Sequence, residues 1–160
     1  MKNFKNFLNE EFKDMGAVYH SSAVKFTEFK NKAVWFAFKK DHAIDGWYKN
    51  ILDSGSEAFL YEAKFGELNI ASESTAEIVE LFNKNKLDID KYTDRVINNP
   101  SASQMRKMPG TQLLIREGYD AFVFSDYDPR NTSHDLRALL VFNTNKKLKS
   151  LKIIKSDKPG

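Results

Sequence analysis

Cysteine is absent from the 160 residues, and there are only seven glycines and four prolines. Without thiols there can be no disulfide, no thiolate zinc site and no thiol nucleophile. No Gly-x-Gly-x-x-Gly follows a predicted strand, so a Rossmann reading lacks its signature. A phosphate-binding Gly-x-x-x-x-Gly-Lys loop and a His-Glu-x-x-His pair are missing as well. No apolar run approaches the roughly 20 residues that cross a bilayer. The basic start Met1-Lys2-Asn3-Phe4-Lys5 is soon interrupted by Glu10, Glu11 and Lys13, too early for the apolar core of a secretory leader. The expectation is a soluble, cytoplasmic protein with no membrane partner. Charge is close to balanced, 25 Lys and Arg against 22 Asp and Glu, and a net +3 does not demand a nucleic-acid partner.

The composition, 41% hydrophobic and 29% charged, is that of a globular chain with enough length for one core. We expect a single domain over 1–160, with an N-terminal helix within 1–16 and a core over 17–155. Phe4, Leu8, Phe12 and Met15 keep helical spacing over 3–15 before Gly16. Residues 17–20 and 33–38 read as buried strands, and Asp41 as the cap of a helix over 42–52. Phe59, Tyr61, Ala63 and Phe65 alternate along a long strand. Ser74 with Glu77 predicts a capping box and a helix to about 83. Residues 88–98 are expected to be helical, 100–108 a loop, and 109–117 a short helix between Pro109 and Gly118. Strands are expected over 119–125, 136–142 and 148–154. The fold class is α+β, with antiparallel pairing favoured because the strands lack helical crossovers.

One group of residues carries chemistry. Val18-Tyr19-His20-Ser21-Ser22 delivers an imidazole and two hydroxyls to a strand end. Trp35-Phe36-Ala37 follows on the next strand, and Trp47-Tyr48 on the next helix. Further on come Glu117-Gly118-Tyr119-Asp120-Ala121-Phe122 and Leu139-Leu140-Val141-Phe142-Asn143. Each piece has an ordinary explanation: a partly buried histidine ending a strand, a serine turn, packing aromatics. In this order, over about residues 17–153, they resemble the ADP-ribosyltransferase fold. That group includes diphtheria-type toxins, poly(ADP-ribose) polymerases and, closest here, the transferase-like domains of phage polyvalent proteins.

The resemblance implies split antiparallel β-sheets with flanking helices, and NAD as substrate with no metal. His20 would hold a ribose hydroxyl and act in catalysis. The main chain at Ser21, where the family has glycine, would pair with the carboxamide, supported by the Ser22 hydroxyl. Trp35 and Phe36 would form the pocket floor. Tyr48 by identity, or Trp47 by helical spacing, would stack on nicotinamide. Tyr127 and Arg130, in the polar segment 125–134, would touch a protein or nucleic-acid acceptor; a solvated turn is the ordinary reading of that segment. The family's catalytic glutamate falls at Ala138. Another carboxylate could substitute (Asp135, Asp126 or Asp128), the target could supply one, or the domain could bind without catalysis. The implied activity is transfer of ADP-ribose from NAD. The alternative is a silent NAD- or ADP-ribose-binding or protein-interaction module, as from a phage acting on a host factor. His42 and His134 make no metal spacing with His20. Lysines 146, 147, 149, 152, 155 and 158 could attract nucleic acid, but without interleaved aromatics they read as edge protection.

Overall fold

The computed structural model describes residues 16–94, 100–124 and 137–160. The expected N-terminal helix lies outside these residues, as do Asp126, Asp128, His134 and the candidate site residues Tyr127, Arg130 and Asp135. Among the described residues, seven strands form one mixed sheet in the order β4-β5-β6-β2-β1-β3-β7. They are β1 (Val18–Ser22), β2 (Val34–Ala37), β3 (Ala58–Phe65), β4 (Ile70–Ser72), β5 (Ala121–Phe124), β6 (Ala138–Val141) and β7 (Leu148–Asp157). Only β4 and β5 run parallel; every other pair is antiparallel. The α+β class is therefore seen as one mixed seven-stranded sheet.

Side chains alternate across a strand, so each apolar strand feeds two cores. Val18, Val34, Phe36, Val123, Leu139 and Val141 point to one face, covered by Phe26 and Phe29 of the β1–β2 connection. The intervening residues Trp35, Phe122, Phe124, Leu140 and Phe142 point to the other face. There they meet Ile78 and Phe82 of α2 (Ala76–Lys84), Tyr92 of α3 (Ile89–Thr93), Met105 of α4 (Ala102–Lys107), and Leu113 and Leu114 of α5 (Pro109–Arg116). A second cluster on this helical face joins Ala37, Ala58 and Leu60 to Ala43 and Tyr48. Those last two belong to α1, a helix running through Lys40–Ala43, a π turn at Ile44–Tyr48, and Lys49–Asp53.

Several elements differ from expectation. Lys39, not Asp41, occupies the N-cap position of α1, and no side chain caps it. The Ser74–Glu77 capping box is not formed either: Thr75 is the N-cap of α2, and the Ser74 hydroxyl bonds Ser72 instead, at 2.8 Å. The expected loop over 100–108 contains α4, whose Ser101 and Gln104 make a reciprocal capping box. Strand β4 was not anticipated. It is tied in by Asp120, whose carboxylate accepts from the Asn69 amide at 2.7 Å and from Lys147 Nζ at 2.6 Å.

Candidate functional site

The site elements are three adjacent strands at the middle of the sheet, β6, β2 and β1. Tyr19 stands opposite Ala37, and Ala37 opposite Ala138. This Tyr19–Ala37 pair is the only register pair joining β1 to β2. Each strand continues on its outer side, β1 with β3 as far as Ser22 and Phe59, and β2 with β6 as far as Val34 and Val141. β1 and β2 thus meet in a narrow seam inside one continuous mixed sheet, where the resemblance implied split antiparallel sheets.

His20 lies where the seam opens. Its Nδ1–H donates to the Trp35 carbonyl at 2.9 Å, a side-chain link between β1 and β2. That bond fixes the tautomer and leaves Nε2 as the acceptor nitrogen. The ring sits among Phe36, Phe29 and Phe26, with centroids 5.9, 6.0 and 6.2 Å away. Burial among these rings pushes the imidazole below its ordinary value, against the opposing pull of the Trp35 carbonyl. The histidine is neutral at physiological pH, able to accept a hydrogen bond from a hydroxyl.

Ser21 is buried on the opposite face, and its hydroxyl donates to the Ala43 carbonyl at 3.1 Å. A glycine here could not make that bond, so the serine ties the strand to α1. The Ser22 hydroxyl donates to the Val24 carbonyl at 2.8 Å and accepts from its amide at 3.0 Å, forming a local turn. Trp35 is half-buried on the helical face, edge-on to Phe124 at 5.1 Å. Phe36 is fully buried on the His20 face.

The two helix aromatics exchange the places that simple spacing gives them. A π turn inserts one residue into the helical phase. Tyr48, not Trp47, therefore enters the core beside Ala37, Ala43 and Leu60. Its hydroxyl emerges at the sheet end and donates to Asp157 Oδ2 at 2.5 Å. Burial, then the Asp157 bond and charge, push the phenol far above its ordinary value. Trp47 stays half-buried against His42, with ring centroids 5.3 Å apart. The expected convergence of His20 and Tyr48 is not found: the imidazole lies on one face of the sheet and the phenol is enclosed on the other. The candidates divide as His20, Ser22 and Phe36 on one face, and Ser21, Trp35 and Tyr48 on the other. They come together only through the seam.

Ala138 is wholly buried between Ala37 and Phe124 of the flanking strands. No group of three or more His, Asp or Glu side chains arranged to hold a metal occurs among the described residues. No described helix is long and apolar enough to cross a membrane. Four of the six lysines near the C-terminus are engaged: Lys146 and Lys147 with Asp120, Lys152 with Glu62, Lys155 with Asp157. Compared with protein-family models, curated proteins and solved structures, the chain matches none.

The β1–β2 seam was not foreseen in the residue pattern. The signal that could have found it is the histidine itself, a ring nitrogen placed to reach a main-chain carbonyl of the neighbouring strand.

Proposed function

We propose that this chain is an ADP-ribosyltransferase-type domain that binds NAD at the β1–β2 seam and transfers ADP-ribose to a protein or nucleic acid. One observation carries the reading: the strand carrying His20, the aromatic strand of Trp35 and Phe36, and the strand beginning at Ala138 lie side by side. A single dinucleotide can meet all three only in such an arrangement.

In this reading the neutral His20 accepts from a ribose hydroxyl through Nε2. The Ser21 main chain pairs with the carboxamide. Phe36, on the His20 face, forms the floor beneath the ligand, while Trp47 and Tyr48 hold α1 on the other face. Transfer breaks the bond between the ribose carbon and nicotinamide, whose nitrogen leaves with the electron pair. The oxocarbenium-like centre is then attacked by an acceptor that gives up a proton. Nothing at Ala138 can stabilise that positive charge, so Asp135 or a carboxylate of the target supplies it. Loss of one preorganised partner typically costs about a hundredfold in rate or more.

That burial of Ala138 favours a second reading, a silent module that binds NAD or an ADP-ribosyl group on the same scaffold. Incubation of the protein with adenylate-labelled NAD and a cell lysate separates the two. Transfer gives a labelled macromolecule and free nicotinamide, both lost in His20→Ala. Neither product from a protein that still binds NAD establishes the silent module.

A further inference from the structure

Residues 23–33 join β1 to β2 without helix or strand; Phe26 and Phe29 lie over the face that carries His20, and Ala33 already packs on the helical face. The segment forms a strap that covers the imidazole with two rings, Phe26 and Phe29. The ends of the strap are firmly held. At the start, Ser22 and Val24 make the local turn described above. At the finish, the Lys32 carbonyl accepts from the Thr144 amide at 3.2 Å and hydroxyl at 2.8 Å, and the Asn31 carbonyl accepts from Arg106 Nη1 at 2.5 Å.

The middle is held differently. Tyr61 of β3 donates its hydroxyl to the Phe26 carbonyl at 2.8 Å and accepts from the Phe26 amide at 2.7 Å. The two rings also stack, 4.1 Å apart and inclined by 12°. Between Val24 and Asn31, one phenol thus supplies both hydrogen bonds that tie the strap to the sheet among the described residues. Farther along, Lys30 and Asn31 adopt φ of 54° and 59° as the central pair of a closed turn, in which the Lys32 amide donates to the Phe29 carbonyl at 3.2 Å.

We propose that residues 23–33 are a gate over His20, latched by Tyr61 and anchored beyond the latch by the Phe29–Lys32 turn, so that Tyr61 positions the wall against which a ligand meets the imidazole. The gate rests on the reading that His20 is the ligand-holding group. A ligand reaching Nε2 from this face displaces Phe26, and doing so breaks the two Tyr61 hydrogen bonds while leaving the strand ladders intact. The strap's charged side chains, Lys25, Glu28, Lys30 and Lys32, are exposed, and the groups packed on the imidazole are aromatic.

Tyr61→Phe keeps the stacked ring and removes both hydrogen bonds. Amide exchange followed by NMR is expected to show the Phe26 N–H exchanging about tenfold faster, the loss of a hydrogen bond of ordinary net strength. Amides of β2 and β6 should keep their wild-type rates. The His20 ring, now reached by water, should titrate nearer its ordinary 6.5. Because Tyr61 is buried, Phe26→Leu serves as the second variant; it keeps the Tyr61 bonds, thins the wall and should move the His20 titration the same way. Unchanged Phe26 exchange with an unchanged His20 titration overturns the gate. So does acceleration spread equally over β2 and β6. If Tyr61→Phe does not fold, the His20 titration in Phe26→Leu decides alone. None of these readouts uses NAD, so failure of wild type to bind NAD removes the proposed function and leaves the gate to be judged on exchange.

Discussion

Replacing Gly110 by alanine tests the helical core where space is tightest. Gly110 is the second residue of α5, and a Cβ built there lies 2.7 Å from Tyr92 Cδ1 and 2.9 Å from Phe82 Cε2. Neither ring can yield cheaply. Phe82 is fully enclosed, and Tyr92 is held by its hydroxyl bond with Thr111 at 2.7 Å. Ordinary contact begins at 3.4 Å, so both rings must retreat by about half an ångström or more. Overpacking of this kind costs about 1–3 kcal/mol. Alanine recovers at most about 1 kcal/mol of helix propensity, and less at the start of a helix. The expected net loss is about 1–2 kcal/mol, which for a chain of this length lowers Tm by roughly 2–8 °C. Gly46→Ala is the control: its Cβ meets only His42 Cδ2, at 3.8 Å. It should melt at or above wild type. Circular dichroism melts of the three proteins decide it, and Gly110→Ala melting with wild type would refute the packing described for α5.

Three further substitutions follow from the polar anchors. Asp120→Asn weakens the carboxylate that holds Asn69 and Lys147, and should cost about 1–3 kcal/mol in urea unfolding, with protection lost first at β4. Tyr48→Phe removes the donor to Asp157, whose carboxyl the Tyr48 bond and then Lys155 hold below its ordinary value of 3.8. Wild type should exceed the variant in Tm above that pH, and the gap should close as pH falls through the lower folded value. A histidine held low by burial takes up a proton more readily when unfolded. Wild-type stability should therefore fall as pH drops below 6.5, and His20→Asn, which keeps a donor for the Trp35 carbonyl, should flatten that slope in melts from pH 7.5 to 5.

Much of the fold was legible because the apolar pattern is strict. Alternation in Phe59–Phe65 and the continuous apolar runs of β5 and β6 carry the strands, and Pro109 with Gly118 frames α5. What escaped was decided by context. Ser74 and Ser101 both precede a Glu or Gln by three residues, yet only Ser101 caps a helix, because the Ser74 hydroxyl is taken by Ser72. β4 is three residues long and exists through parallel pairing with β5, which no local period announces. The site was legible in its order of parts and illegible in its facing. A one-residue π insertion sent Tyr48 inward and left Trp47 half-exposed, and strand alternation put Ser21 and His20 on opposite faces.

Isothermal titration of NAD into wild type and His20→Ala bears most directly on the seam as a dinucleotide site. Wild type should give saturable one-to-one heat with a dissociation constant in the micromolar to millimolar range, and the variant none at the same concentrations. No binding by wild type, or equal binding by both, would contradict it.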